Sequence, residues 1–319
     1  MPVVQQREFS VNRLQMLLCG LVLCAVCPSV YGQGATFSQQ ENVVYMEADG
    51  VAFVMDIFTP TGPKNGLAIV DVISGAWSSD RSKIQQHMLA QTFRVCCAKG
   101  FTVFAIRPGS VSKFNGIEMR DHLNAGIIWV KKHSKEYGID PDRLGLMGAS
   151  AGGHLALLTA VSAPDADSAD AKINTRVKAV GVFFPPTNLI SFDNLLKQKE
   201  EKSSETNEKE KRDRRVLLQA LSQPRNLTFD LGLPEEKKLE LLTQVSPALL
   251  VKKGLPPVLI FHGDADPLVP LSQSEEMVEA LKKVEVPVEL IIKKGGAHPW
   301  PTIFEEMAQL ADWFDMQLK

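Results

Sequence analysis

Short apolar runs that alternate with stretches of helical spacing constrain the fold of this chain more than any other feature. Six apolar runs have strand character: 66–73, 101–109, 143–149, 177–186, 256–264 and 286–296. Helical spacing occupies five stretches between or after them: 80–98, 117–136, 151–162, 271–284 and 301–317. Strands that alternate with helices of this length are typical of a parallel sheet covered by helices on both faces. The sequence therefore predicts an α/β fold with a mostly parallel central sheet.

The stretch before the first of these strands has a different pattern. Residues 42–59 alternate apolar and polar side chains on either side of the pair Asp49-Gly50. An Asp-Gly pair between two β-rich runs is a strong signal for a hairpin. We therefore expect an antiparallel N-terminal hairpin that extends one edge of the sheet.

Residues 187–247 interrupt the alternation of strands and helices within the predicted domain of residues 33–319. They contain no strand pattern, and their central segment 197–215 is almost free of apolar residues. Such a charged run is typical of a solvated helix or of disorder, with a docking surface as the alternative. Because residues 216–221 and 237–253 have helical spacing, the pattern predicts a helical, cap-like insertion over one end of the sheet.

The N-terminus has the pattern of an export signal. Arg7 and Arg13 precede an apolar run of about the length of a signal-peptide core. The small residues Val30 and Gly32 stand where a signal peptidase needs them, so residues 1–32 are predicted to be a cleaved signal peptide. We therefore expect an exported protein, periplasmic or secreted, with no stable membrane insertion after cleavage.

Two alternatives to cleavage stay open. The apolar run can act as an uncleaved anchor, although it is short for a membrane span, which needs about 20 apolar residues. Lipid attachment at Cys24 or Cys27 is the other alternative, but the preceding Leu23 and Val26 are larger than lipoprotein signals usually have.

Charge and residue spacing exclude several classes of partner. A formal net charge of -2 offers no broad basic field, so we expect no nucleic-acid partner. The six histidines are scattered, and no spacing typical of a metal site appears, so we expect neither a metal nor an organic cofactor. The adjacent Cys96 and Cys97 fit small apolar filling of a helix better than a disulfide bond. The oligomeric state is not determined by any of these features.

A glycine-rich turn between a predicted strand and a predicted helix carries the main functional signal. Residues 148–152 read Gly-Ala-Ser-Ala-Gly, which fits the G-x-S-x-G pattern of a nucleophile elbow centred on Ser150. In such an elbow the serine hydroxyl stands above the carboxyl ends of the strands, and the amide of Ala151 faces a developing oxyanion. A glycine-rich helix start without chemistry is the alternative interpretation.

A nucleophilic serine needs a base, and the base needs an orienting carboxylate. Asp264 and Asp266 follow the predicted strand 256–264, and His298 follows the last predicted strand. The chain order serine, acid, histidine is the order of the α/β-hydrolase triad. We therefore predict Ser150 as nucleophile and His298 as base, with Asp266 or Asp264 as the acid.

These motifs resemble those of the α/β-hydrolase superfamily over roughly residues 42–319. In particular, they resemble its bacterial esterase/lipase branch of acetyl-xylan- and feruloyl-esterase-like enzymes. Members of the family carry the acid motif HGxxDxxV, which also occurs in prolyl-oligopeptidase-like enzymes, and His262, Gly263, Asp266 and Val269 match it. The resemblance implies that Asp266 is the triad acid and that Asp264 braces the turn, with Asp264 as the alternative acid.

The chain departs from these esterases in the loop that completes their oxyanion hole. They usually have an HGG(G/A)W loop after the first central strand, and here Ile73 stands where the histidine would be. The residues Gly75, Ala76 and Trp77 are retained. Since backbone amides bind the oxyanion, the resemblance implies Gly75 and Ala76, with Ala151, as donors.

Three aromatic side chains lie close to these motifs in the sequence. Trp77 and Trp300 lie beside the predicted oxyanion loop and base, so both are candidates to line the substrate pocket, with core packing as the alternative. His154 follows Ser150 by four residues on the helix, and we expect it to be buried packing rather than the base.

The resemblance implies a serine-dependent carboxylic ester hydrolase that forms an acyl-enzyme and needs no cofactor. Its substrate would be a small-molecule or carbohydrate ester, such as an acetyl or feruloyl ester. Two alternatives stay open: a serine peptidase of the prolyl-oligopeptidase-like type, and a catalytically weak binding protein on the same fold.

Overall fold

The computed structural model describes residues 36–48, 50–164, 174–202, 216–223 and 233–319. The predicted signal peptide of residues 1–32 lies outside the described residues, and so do residues 203–215 of the charged segment. The described residues belong to one compact unit, Ala35–Lys319.

The centre of this unit is an eight-stranded sheet in the order β1-β2-β4-β3-β5-β6-β7-β8. The hairpin β1/β2 and the pair β2/β4 are antiparallel, and every pairing from β4 to β8 is parallel. This arrangement confirms the predicted α/β fold with its antiparallel N-terminal hairpin. The strands are Phe37–Ala48 (β1), Val51–Pro60 (β2), Ala68–Val72 (β3), Thr102–Ile106 (β4), Leu144–Ala149 (β5), Ala179–Phe183 (β6), Val258–Gly263 (β7) and Val288–Lys293 (β8).

Helices cover both faces of the sheet and divide the core into two clusters. Side chains alternate along β3, so that Val70 and Val72 face one cluster and Ile69 and Ile73 face the other. The helices α3, α5 and α9 pack on the first face, and α1, α2 and α10 on the second. The helices are Arg81–Leu89 (α1), Thr92–Ala98 (α2), Gly116–Lys132 (α3), Ser134–Tyr137 (α4), Ala151–Val161 (α5), Leu189–Lys202 (α6), 216–222 (α7), Glu235–Gln244 (α8), Ser272–Lys283 (α9) and Ile303–Leu318 (α10).

Three stretches that were predicted as single helices are divided, which corrects the prediction. The stretch 117–136 is divided into α3 and α4 at His133. The stretch 80–98 breaks into α1 and α2 because Gln91 adopts a left-handed conformation with φ 60°. The stretch 237–253 ends as α8 at Gln244 and continues as a 3₁₀ turn at Pro247–Leu249. Pro247 causes this break, since proline lacks the N–H that a continuing helix needs and disfavours helical backbone in the residue before it.

Residues 187–247 lie between β6 and β7 and contain α6, α7 and α8. Within the parts of this range that the structure describes, no strand occurs. Leu196 of α6 and Leu218 of α7 are buried against the first core cluster, so these helices pack on the domain.

The two cysteines of the described chain are not bonded to each other. Cys96 and Cys97 are free, buried thiols on α2. No helix among the described residues has both the length and the apolar character needed to cross a bilayer.

Candidate active site

Ser150 stands between β5 and α5 in a backbone conformation that non-glycine residues rarely adopt. Its φ is 54° and its ψ is -121°. Such conformations cost about 1–3 kcal/mol and persist where the surrounding structure enforces them. Here the amide of Ser150 donates to the carbonyl oxygen of Phe183 on β6 at 2.9 Å, and its own carbonyl accepts from the amide of His154 at 2.9 Å. The strand-to-helix turn is therefore held from both sides.

The two glycines of the motif are required by close backbone contacts. A Cβ on Gly148 would lie 2.4 Å from the carbonyl oxygen of Gly152. A Cβ on Gly152 would lie 2.5 Å from the carbonyl oxygen of Val72. Both distances are far below van der Waals contact, so neither position accepts a side chain without a backbone shift. This accounts for the Gly-x-Ser-x-Gly spacing in steric terms.

Ser150, His298 and Asp266 form a continuous chain of hydrogen bonds. Nε2 of His298 lies 2.9 Å from Oγ of Ser150, and its Nδ1 lies 2.6 Å from Oδ2 of Asp266. The three residues follow β5, β7 and β8, and parallel strands bring their carboxyl ends to one edge of the sheet. The arrangement has the geometry in which an imidazole can take the serine proton while the carboxylate fixes its tautomer.

The carboxylate of Asp266 is buried and held by several donors. Its Oδ1 accepts from the amides of Leu268 and Val269 at 2.8 and 2.9 Å. Burial acts to raise the pKa of Asp266, but hydrogen bonds from His262, His298 and Val269 outweigh it and hold the pKa well below the usual range. Asp266 is therefore charged at neutral pH and can stabilise a positive charge on His298.

Asp264, the alternative acid, has a different role. Its Oδ1 accepts from the amide of Gly295 at 2.6 Å, and the side chain is exposed. This bond braces the loop after β8 against the loop after β7. The structure thus brings Asp266, and not Asp264, to His298.

The three predicted oxyanion donors differ in whether their N–H groups are already hydrogen-bonded. The amide of Gly75 donates to the carbonyl oxygen of Ser78 at 2.9 Å, and the amide of Ser78 returns a bond to Gly75 at 2.9 Å. The prediction for Gly75 is therefore wrong, because its N–H is used within a tight turn. Ala76 follows with φ 48°, lines the cavity beside Ser150, and has an N–H with no hydrogen-bond partner among the residues that the structure describes. Ala151 is the first residue of α5, where an N–H has no partner within the helix.

Trp77 and His154 connect the loop after β3 to the helix behind Ser150. The indole Nε1–H of Trp77 donates to Nδ1 of His154 at 3.0 Å, and Nε2 of His154 lies 2.7 Å from the carbonyl oxygen of Val245. Burial lowers the pKa of His154 to about 4, partly offset by the bond to Val245. His154 is thus buried, as predicted, and the low pKa keeps it neutral; its linking contacts were not foreseen from the sequence. Trp77 also contributes to the cavity lining.

Trp300 is not part of the cavity wall, which corrects its predicted role. Its ring is buried in the second core cluster, and its Nε1–H donates to Oε2 of Glu306 at 2.7 Å. Pro299 and Ile303, which are close to Trp300 in the sequence, line the cavity instead. The indole is turned inward because the carboxylate of Glu306, itself buried, satisfies its N–H.

A cavity of about 810 Å³ opens at Ser150. This volume is within the range typical of ligand sites, about 300–1,000 Å³. One part of its wall is apolar and comes from α6 and α7, with Phe192, Leu196 and Leu218. Another part is polar and comes from β3 and α1, with Asp71 and His87. In the described part of the chain, no group of histidine, cysteine and carboxylate side chains fits a metal ion.

The chain is similar to proteins of one family and to several curated enzymes. A family model named BD-FAE matches residues 55–281. The "Probable isoprenylcysteine alpha-carbonyl methylesterase ICMEL1" of Arabidopsis thaliana is 28% identical over 76% of this chain and 48% of its own length. The "Probable carboxylic ester hydrolase LipM" of Mycobacterium tuberculosis is 24% identical over 68% of this chain and 45% of its own length. The chain thus spans about half the length of these relatives.

Solved esterase structures share the fold. A truncated carbohydrate esterase from gut microbiota superposes with a TM-score of 0.69 at 22% identity, covering 89% of this chain and 98% of that one. Native esterase 2 of Thermogutta terrifontis superposes with a TM-score of 0.61 at 27% identity, covering 86% of this chain and 90% of that one.

Proposed function

The chain belongs to the BD-FAE family, and on that basis we propose that it is a serine-dependent carboxylic ester hydrolase that works through an acyl-enzyme. The observation that carries this proposal is the hydrogen-bonded chain from Ser150 through His298 to the charged carboxylate of Asp266. The names of its relatives, a carboxylic ester hydrolase and a methylesterase among them, support the same class of reaction.

The first half of the reaction acylates Ser150. His298 takes the hydroxyl proton as Oγ attacks the ester carbonyl carbon, and the carbonyl oxygen becomes an oxyanion. The free amides of Ala76 and Ala151 donate to that oxyanion. When the carbon–oxygen bond of the ester breaks, the alcohol leaves with the proton from His298, and the acyl group stays on Ser150.

The second half returns the enzyme to its starting state. Water enters the position that the alcohol has left, and His298 removes a proton from it as it attacks the acyl carbon. Collapse of the second tetrahedral intermediate releases the carboxylic acid and restores the proton to Oγ of Ser150. Asp266 stays ionised throughout, because its hydrogen bonds hold its pKa low, and it stabilises the transient imidazolium.

Acetyl or feruloyl esters of carbohydrates are the substrate class that we propose. A cavity of about 810 Å³ has room for an aromatic acyl group as well as a small one, and its wall combines apolar and polar parts. A gut carbohydrate esterase with the same fold is consistent with this class. We further propose that the protein is exported, on the basis of the basic and apolar pattern in residues 1–32.

Hydrolysis assays test this function directly. We expect the protein to hydrolyse p-nitrophenyl acetate and p-nitrophenyl butyrate, and Ser150→Ala to reduce kcat/KM by about 10⁴-fold or more without loss of fold. Release of acetate or ferulate from an esterified xylan tests the carbohydrate class. Aminoacyl p-nitroanilides distinguish a peptidase, since turnover of these amides at a rate like that of the esters would contradict ester specificity.

A further inference from the structure

A second histidine–carboxylate pair lines the same cavity, outside the Ser150 chain. Nδ1 of His87 lies 2.7 Å from Oδ2 of Asp71, and both residues contribute to the cavity wall. Asp71 is a buried residue of β3, and the side chain of His87, in the last turn of α1, is 13% exposed. The mechanism above makes no use of either residue.

The position of Asp71 is unusual for a purely structural carboxylate. It is the fourth residue of a five-residue central parallel strand whose other residues are Ala68, Ile69, Val70 and Val72. Burying a carboxylate there is costly unless it is paired and hydrogen-bonded. His87 supplies one partner, and the attraction of Asp71 raises the pKa of His87 although burial acts in the opposite direction.

The pairing of Asp71 is incomplete. Its second oxygen, Oδ1, is buried and has no hydrogen-bond partner among the described residues. The hydroxyl of Ser74, three residues further along and also in the cavity wall, is buried and lacks a described partner too. Buried polar atoms without partners are rare in proteins, because such an atom loses the hydrogen bonds that water supplies in the unfolded chain. Both atoms belong to residues that line one cavity and lie just behind its surface, so a small side-chain rotation would bring them to a bound group that supplies the missing hydrogen bonds.

The strand register gives the distance from the ester site. Asp71 is paired with Met147 on the neighbouring strand β5, three residues before Ser150. At the rise of a β-strand this separation is about 10 Å along the strand direction. Since an extended chain advances about 1.2 Å per bond, a substrate hydroxyl about six bonds from an ester carbonyl carbon at Ser150 comes within hydrogen-bond reach of the level of Asp71 and His87.

The charges at this part of the wall favour a neutral hydroxyl over an ionic group. Lys83 lies on the same helix as His87, and its side-chain carbons pack where a Cβ on Gly75 would meet them at 3.1 Å. The carboxylate of Asp71 repels an anion, while His87 and Lys83 disfavour a cation. A hydroxyl group can donate to Oδ1 of Asp71 and accept from Ser74 or His87, so it fits all the unused valences.

We propose that Asp71, Ser74 and His87 form a polar subsite that binds a hydroxyl group on one half of the ester and makes the enzyme select hydroxylated over plain alkyl esters. This inference rests on the proposed ester hydrolysis and adds the residues that set its specificity. A hydrogen bond to a charged acceptor corresponds to a preference of about 10- to 100-fold in kcat/KM. The apolar wall of Phe192, Leu196 and Leu218 then receives the other half.

Two matched pairs of esters test the subsite and identify the half that it binds. Butyl butyrate and 4-hydroxybutyl butyrate differ only in a hydroxyl at the end of the alcohol. Ethyl hexanoate and ethyl 6-hydroxyhexanoate differ only in a hydroxyl at the end of the acyl group. The preference of the wild-type protein within each pair is compared with that of Asp71→Asn, which keeps the shape of the side chain, and of Ser74→Ala, which leaves the Asp71–His87 pair intact. His133→Gln, at a partly exposed histidine that does not line the cavity, is the control.

The subsite predicts a preference for the hydroxylated ester in at least one pair. Asp71→Asn and Ser74→Ala should each reduce that preference by about 10-fold or more, because kcat/KM falls further for the hydroxylated ester than for the plain ester, while all values for His133→Gln stay near wild type. An equal preference in the wild type and both variants, or no preference in either pair, overturns the subsite while ester hydrolysis stands. No turnover of any of the four esters overturns the proposed function and the subsite with it.

Discussion

The indole N–H of Trp77 donates to Nδ1 of His154 at 3.0 Å, and this bond joins the loop after β3 to the helix that begins behind Ser150. Because Nδ1 accepts this hydrogen bond, it carries no proton and the imidazole is neutral. The ring proton is on Nε2, which donates to the carbonyl oxygen of Val245. Protonation of His154 would put a second N–H against that of Trp77. The neutral form is thus the one that the fold requires, in agreement with a pKa that burial lowers to about 4.

This arrangement predicts that His154 makes stability depend on pH. At a pH between the folded pKa of about 4 and the ordinary pKa of 6.5, His154 binds a proton in the unfolded chain but not in the folded chain. The contribution of His154 is therefore complete above pH 6.5 and is lost as the pH falls toward 4, by about 3 kcal/mol in all. The free energy of unfolding, measured with urea at about pH 7 and about pH 4.5, should fall less between the two pH values in His154→Gln than in the wild type.

His133→Gln is the matched control for that measurement, because His133 is partly exposed and stacks on Trp129 away from the cavity. Its pH dependence should follow that of the wild type. If His154→Gln loses as much stability on acidification as the wild type does, the assignment of the pH dependence to His154 is wrong.

The choice of Asp266 over Asp264 predicts opposite results for two neighbouring isosteric substitutions. Asp266→Asn should reduce kcat by about 10⁴-fold, because an amide no longer fixes the catalytic tautomer of His298. Asp264→Asn should leave kcat close to wild type, since the asparagine carbonyl oxygen still accepts from the amide of Gly295. Steady-state hydrolysis of p-nitrophenyl butyrate measures both. A severe loss in Asp264→Asn with an active Asp266→Asn would reverse the assignment.

The close contact at Gly152 predicts that one methyl group there affects both fold and activity. Gly152→Ala places a Cβ 2.5 Å from the carbonyl oxygen of Val72, so the elbow must shift, at a cost of about 1–3 kcal/mol or more. Gly62→Ala is the control, because a Cβ at Gly62 has no atom within 4 Å. Thermal unfolding and ester hydrolysis should both be impaired in the first variant and unchanged in the second. Equal Tm values would mean that the turn is less constrained than these distances indicate.

Local pattern was enough to predict the sheet and the three residues of the hydrogen-bonded chain. Ser150, Asp266 and His298 each follow an apolar strand, and in a parallel sheet such positions converge on one edge whatever the details of packing. The structure brings these three side chains within hydrogen-bond distance, while their catalytic roles stay predictions. The break at Gln91 was missed because a left-handed residue without a glycine leaves no clear mark in the sequence.

Features that depend on distant contacts could not be predicted in this way. The amide of Gly75 is used by Ser78 because of the path of the loop, and Trp300 turns inward toward Glu306, a partner on the last helix. The pairing of Asp71 with His87 depends on how α1 lies on the sheet. A single aspartate in the apolar run 66–73 was the one available signal for it, since a buried strand rarely carries an unpaired charge.

The account depends most directly on an activated hydroxyl at Ser150, and a fluorophosphonate probe measures that activation. The serine oxygen displaces fluoride from phosphorus only when a base removes its proton, so labelling followed by peptide mapping reports on Ser150 and His298 together. We predict a single labelled peptide that contains Ser150, with labelling lost in Ser150→Ala and reduced to background in His298→Ala. A folded wild-type protein that takes up no label, or equal labelling of Ser150 in His298→Ala, would contradict the account.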